Sequence, residues 1–287
     1  MELLRALAVL SEPPGHAGAS RVAAALGLGG LPGAEEHTEL FVFQLYPYAS
    51  VYLGAEGMVG GEARDRIEGF WRALGLGPPA EADHLSVMLA AYARLAEMEE
   101  SHSGERADWG GARRAFLWEH LLSWLPAYLD KLAEVAPPFY RRWGEILTGA
   151  LMSEARGRGP APVMLPLHLR AAPALSRPEE HGAEEFLRSL LAPARSGVIL
   201  TRADLVRAAR ALGVGARPGG RAFTLKSLLS QDAPAVLAWL DAEADAWAAR
   251  HAARRATLGA TAAWWQGRAR ATAEILKQLR RDAAAGS

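Results

Sequence analysis

The chain has 287 residues, half of them apolar, no cysteine, and 32 basic side chains balanced by 32 acidic ones. An apolar half excludes a disordered chain, and the lack of cysteine excludes disulfides, thiolate nucleophiles and cysteine-ligated metals. The zero net charge hides an asymmetry: residues 1–150 carry 20 Asp and Glu against 12 Lys and Arg, and residues 151–287 carry 12 against 20.

Leu3, Leu4, Leu7 and Leu10 share one helical face, so the N-terminus is expected to form a first helix, stopped by Pro13-Pro14. It has an acid at Glu2, no basic start and no small-residue cleavage site, so it is not read as a signal peptide. A short helix follows over Ala19 to Leu28, closed by Gly29-Gly30, and an apolar-rich one over Glu35 to Leu45, ended by Pro47. Glu62 to Leu74 is amphipathic, with Ile67, Phe70, Trp71 and Leu74 on one side. Asp83 is placed to cap a helix from His84 to Met98, and Ser101 to Gly111 reads as a polar loop. Ala112 to Val135 carries two stripes: Phe116, His120, Trp124 and Tyr128 on one, and Leu117, Leu121, Leu125 and Leu129 beside it. The spacing predicts a widely buried helix bent at Pro126. Pro137-Pro138 ends it, and Phe139 to Glu154 forms one more.

Composition then shifts. Residues 157–178 are rich in proline and read as a linker or strap between a helical domain over 1–156 and a helical extension over 179–287 packed on it. Thr201-Arg-Ala-Asp204 has capping-box spacing and opens a helix ending at Gly213. Thr224 and Asp232 are candidate starts for the next helices, and Pro234 to Arg281 reads as one long helix weakened at Gly259 and Gly267. Gly197 to Leu200 is the single short strand candidate, so the fold class is all-α. No apolar stretch is long enough to span a bilayer, and a cytoplasmic location is expected.

No enzyme motif emerges. Asp83 and His84 are adjacent at a helix start and do not face each other as a charge relay requires. His120 lies on an aromatic stripe as a core histidine does, and the eight histidines show no ligand spacing, so neither a metal nor a cofactor is expected. The glycines near Gly54 and Gly57 lack the Gly-Lys-Ser/Thr of a phosphate loop. Tyr46, Tyr48 and Tyr52 flank the helix-breaking Pro47. They are expected on irregular backbone, where tyrosines serve recognition; ordinary packing of a loop on the core is the competing reading. Arg202, Arg207, Arg210, Arg217 and Arg221 offer an alternative function, a helical regulator that binds nucleic acid through its basic C-terminal region.

Three pieces in fixed order carry a resemblance. Leu45-Tyr-Pro-Tyr-Ala-Ser-Val-Tyr52 comes first, Asp83-His84 second, and Phe116-x-x-x-His120-Leu121-x-x-Trp124-x-Pro126 third. Residues 1 to about 156 thereby resemble the TorD/DmsD family, cytoplasmic chaperones that mature molybdenum-cofactor oxidoreductases. The resemblance implies an all-helical bundle and a non-enzymatic function. The expected partner is a molybdopterin-dependent catalytic subunit or its twin-arginine signal peptide, held until the cofactor is inserted. It places peptide binding on Pro47, Tyr48, Ser50, Tyr52, Asp83 and His84, with Phe116, His120, Leu121, Trp124 and Pro126 as a structural motif helix. No membrane insertion or nucleic-acid partner goes with it, and a homodimer is a further expectation. The roughly 130 residues after Glu154 have no counterpart in the compact members. An acidic half beside aromatic side chains suits a peptide with a basic start and an apolar run.

Overall fold

The computed structural model describes residues 1–101 and 108–285. The polar loop expected over 101–111 falls mostly on residues 102–107, outside the described residues. The fold is all-α: among the described residues the only β pairing is an isolated antiparallel bridge between Tyr48 and His84. The chain divides into two units, Met1–Ser50 with Val59–Arg170, and Val51–Met58 with Ala171–Ser287. Residues 157–170, read as strap, thus belong to the first unit, and a short internal segment of the family-like region belongs to the second.

In the first unit, α1 (Glu2–Val9), α2 (Ala19–Ala25) and α3 (Ala34–Thr38) precede a stretch of wider turns, Glu39–Gln44. That stretch closes with an i→i+5 bond from Leu45 N–H to the Leu40 carbonyl, at 2.7 Å. Then come α4 (Ala49–Leu53), α5 (Glu62–Ala73) and α6 (Leu85–Ser101). The amphipathic reading of α5 holds, with Ala63, Ile67 and Trp71 buried. The apolar face of α1 buries Leu4 and Leu7 and packs on α6 and on α9 (Pro138–Gly157). The indole N–H of Trp143 on α9 donates to the Leu7 carbonyl at 3.0 Å, so a buried donor is satisfied and two helices are locked in register.

The expected continuous helix over 112–135 is three pieces instead. These are α7 (Trp109–Ala115), a wide-turn segment Phe116–Leu121, and α8 (Leu125–Val135). Leu122 N–H bonds the Leu117 carbonyl five residues back at 2.8 Å, and the backbone leaves helical geometry at Trp124, φ −138°. Pro126 therefore does not bend a helix. It sits in the first turn of α8, where an amide has no intrahelical acceptor and its absence costs little. The break is filled by Trp124 itself, fully buried, whose indole N–H donates to the His120 carbonyl at 2.9 Å. Phe116, His120 and Leu121 are buried, as expected of the motif helix.

Arg113 on α7 is only 4% exposed. Its guanidinium bonds Glu99 on α6 at 2.8 Å and Glu154 on α9 at 2.6 Å, and lies 5.0 Å over the Tyr92 ring. Tyr92 donates to the same Glu154 at 2.6 Å, and Arg158 bonds Glu99 at 2.6 Å. Arg114 beside it donates to the carbonyls of Arg158 and Pro160 and so holds the start of the proline-rich segment. That segment ends in α10 (Leu167–Ala171).

The second unit contains α11 (Pro178–Leu190), α12 (Pro193–Ser196), α13 (Arg202–Leu212), α14 (Arg221–Gln231), α15 (Ala233–Ala253) and α16 (Arg255–Ala285). The capping box is real: Thr201 and Asp204 bond each other's amides, and Gly213 ends α13 in the left-handed region. Asp232 caps α15, but Thr224 lies inside α14, which starts after Gly220. The long C-terminal helix is a packed pair, α15 on α16, interrupted again at Gly259, while Gly267 remains helical. Gly197 to Leu200 forms no strand, and Val198, Ile199 and Leu200 are buried. Here Gly197 is required by its neighbours: φ is +74°, and a Cβ would lie 2.4 Å from the Ala269 amide nitrogen. Its carbonyl accepts from His251, and the adjacent Ser196 carbonyl accepts from Thr272, so α15 and α16 are both stitched to this corner.

Two substitutions test the core of the first unit. Trp124→Ala should lose about 3–5 kcal/mol of unfolding free energy, as large-to-small changes at filled sites do. Arg113→Ala should lose less, because Glu99 and Glu154 keep Arg158 as a partner when the buried guanidinium is removed. Urea unfolding followed by far-ultraviolet circular dichroism reads both, and an unchanged midpoint would show that the side chain is not part of the core.

Candidate functional site

Two short stretches cross at the site. Pro47 lacks an amide proton and biases Tyr46 toward extended backbone, so the helix cannot continue. The extended chain then pairs with the residues before α6. Leu85 N–H donates to the Pro47 carbonyl at 2.7 Å, and Ala49 N–H donates to the Asp83 carbonyl at 2.9 Å. Tyr48 and His84 are consequently opposed, their rings 4.8 Å apart and edge-on at 76°. A turn with Glu81 at φ +52° leads in, and the His84 amide donates to the Glu81 carbonyl at 2.8 Å.

The side chains reinforce that crossing. Asp83 is buried, and its Oδ2 accepts from the Ser50 hydroxyl at 2.5 Å and the Ser50 amide at 3.4 Å. The Ser50 oxygen in turn accepts from the Gly60 amide at 2.9 Å. The other carboxylate oxygen of Asp83, Oδ1, is buried without a hydrogen-bond partner. A buried carboxylate oxygen left so carries a desolvation cost that a cationic donor would remove. The Tyr48 hydroxyl donates to Glu81 at 3.2 Å. Its pKa is raised, first by burial and then by the negative charge of Glu81. His84 Nδ1 lies 2.7 Å from the Ser86 hydroxyl, which donates to Glu12. Burial lowers the pKa of His84, while Glu12, Glu81 and Asp83 pull it back up. The half-exposed Tyr48 and His84 thus stand among three carboxylates.

This arrangement is not a hydrolytic triad. The carboxylate of Asp83 bonds Ser50 directly with no base between, and Glu12 bonds Ser86, not the imidazole. Among the described residues no cluster of three or more His, Asp or Glu could hold a metal ion.

The expected site residues separate into layers. Tyr48 and His84 are accessible; Pro47, Ser50 and Asp83 are buried beneath them. Tyr52 does not join the exposed aromatic surface: Ala49–Leu53 is a helical turn, Tyr52 is 2% exposed, and it belongs to the second unit. Tyr46 is 40% exposed. Sequence reasoning missed Glu12, Glu81 and Ser86. Glu81 and Ser86 flank the Asp83-His84 step closely enough to have been considered, whereas Glu12 comes from the far side of α1 and left no local signal.

It also missed His168. His120 Nδ1 and His168 Nε2 lie 3.1 Å apart, both buried, and join the motif segment to α10. Glu119 accepts the Leu167 amide at 2.7 Å alongside. Burial holds both imidazoles neutral, pushing His120 down to about 3 and His168 down to about 4.

Residues 29–130 match the family model of the nitrate reductase delta subunit. The chaperone proteins TorD of Vibrio vulnificus strains YJ016 and CMCP6 are each 33% identical to the chain over 96 residues, which is 31% of this chain and 44% of theirs. The match thus spans less than half the length of these relatives. The residues matched by the family model take in Pro47 to Tyr52, Asp83-His84 and Phe116 to Pro126. No helix among the described residues is long and apolar enough to cross a membrane.

The histidine pair predicts acid sensitivity. Both rings take up protons near pH 6.5 when unfolded but only near pH 3–4 when folded. Stability is therefore fully present above about pH 6.5 and is lost as pH falls toward 4, by up to about 1.4 kcal/mol per pH unit for each ring. His37 and His84, also lowered, add in the same direction. Urea unfolding at pH 7, 6 and 5 measures the slope. His168→Leu should flatten it, and an unchanged slope in that variant would refute the assignment.

Proposed function

We propose that this protein is a cytoplasmic chaperone for a molybdenum-cofactor oxidoreductase. It binds the catalytic subunit, through its signal peptide or the apoprotein body, and holds it while the cofactor is inserted. The TorD relatives support the chaperone class. The observation that carries the site is the juxtaposition of two accessible rings, Tyr48 and His84, with the buried, half-satisfied carboxylate of Asp83. An aromatic face takes apolar side chains of an extended peptide, each contributing about 1.5–3 kcal/mol before the entropy costs of binding. Asp83, with Glu12 and Glu81 near, favours a cationic group such as an arginine at the same place. No cofactor of the chaperone's own is required, because the task is recognition.

The test is titration of the full chain with the signal peptide of the oxidoreductase that co-purifies with it. Tyr48→Ala should weaken binding more than tenfold, about 1.4 kcal/mol, with helix content unchanged. Asp83→Asn should reduce the salt dependence as well as the affinity. Wild-type affinity in both well-folded variants would sink the site; absence of any molybdoenzyme subunit among co-purifying proteins would sink the function.

A further inference from the structure

A groove of about 550 Å³ lies wholly within the second unit, and apart from Glu56, Gly57 and Met58 its lining falls beyond the residues matched by the family model. Its floor is Leu187 and Leu191, at the end of α11 and just after it, both nearly buried. Its two lips are Met58, 67% exposed, and Phe223, 53% exposed. Among the described residues of this unit, Met58, Val206 and Phe223 are the exposed large apolar side chains, and two of the three line this one groove. Large apolar side chains left in water along one cleft mark a binding surface more than isolated ones do.

The groove is held open by the fold. Gly57, at φ +62°, lets its turn press on Ala192 so closely that a Cβ would sit 3.0 Å from the Ala192 Cα, which fixes the Met58 lip. Phe223 lies against Gly219, where a Cβ would meet its ring at 2.6 Å. Lys226 on α14 bonds Glu184 on α11 at 2.9 Å across the rim. A preformed cleft avoids the ordering cost that weakens flexible sites.

Its charges choose the occupant. Arg188, Arg221 and Lys226 line it against Glu56 and Glu184, and Glu184 is taken up by Lys226. Arg188 bonds Glu185, which is shared with Arg195. The N-cap of α14, Gly220, offers no side-chain acceptor to the helix's first amides, which also line the groove and add partial positive charge. The balance is cationic around an apolar floor.

We infer that this groove is a second docking site, for a peptide segment of a partner protein that carries apolar side chains next to a carboxylate. The chemistry is opposite in sign to that at Asp83, so the occupant is not the basic start of a signal peptide. The inference stands apart from the function proposed above and from the identity of the client.

Selection of a phage-displayed random heptapeptide library on the full chain tests it. Sequences pairing Leu, Ile, Phe or Met with Asp or Glu should be enriched. Measured by fluorescence anisotropy, the best of them should bind at least tenfold more weakly to Phe223→Ser and to Arg188→Glu. Phe223→Leu, Val206→Ser and Asp83→Asn should retain binding, the last separating this groove from the first site. Melting curves confirm that each variant is folded. Enrichment of basic sequences, or of none that depends on Phe223, would overturn the inference. Groove-dependent fluorescence of 8-anilinonaphthalene-1-sulfonate without any groove-dependent peptide would overturn it too, in favour of a small amphiphilic anion.

Discussion

The crossing of residues 47–49 with residues 83–85 is the constraint on which the candidate site depends. Two backbone hydrogen bonds and the Ser50–Asp83 pair hold it. Each stretch is the irregular lead into a helix, α4 or α6, and each satisfies the polar backbone of the other, as buried backbone must be satisfied somewhere. Once they cross, Tyr48 and His84 have no choice but to face each other. The carboxylate of Asp83 spends one oxygen on this joint and leaves the other buried and unbonded. The residue that holds the joint is thus also the one on which the proposed recognition rests.

Around that joint the first unit is held by polar contacts unusual for so apolar a core. Arg113 ties α6, α7 and α9 through two glutamates and the face of Tyr92. Neutral His120 and His168 tie the wide-turn segment to α10. These contacts are directional where apolar packing is not, so they specify how the helices meet and not merely that they meet. They also make the unit responsive to acid, because an imidazole pair stays buried only while it is uncharged.

The wide-turn segments were not legible. Phe116, His120 and Trp124 at fourfold spacing read as one face of a regular helix, and their burial was correctly expected from it. The i→i+5 turn and the break before Pro126 depend on how Trp124 fills the gap, a matter of packing with no local signature. Tyr52 failed in the opposite direction. Proline at 47 was read as leaving the following aromatics on irregular backbone, but the chain re-enters a helical turn within two residues and turns Tyr52 inward. Asp83 and Ser50 stand out in the sequence only through a resemblance; that they bond each other across 33 positions cannot be read from either neighbourhood.

Sequence alone determined the all-helical class, the capping box at Thr201 and Asp204, the buried motif aromatics, and the division of charge between an acidic first half and a basic second half. Each of these is local or compositional: periodicity, caps and charge need only neighbours a few residues away. Tertiary structure alone decided which residues meet. It brought Glu12 to Ser86, His168 to His120 and Glu56 to Arg221's groove, and assigned residues 51–58 to the C-terminal unit. Such contacts join positions far apart in the chain, and their cost in chain entropy is repaid only by the folded whole, so no short window of sequence carries them.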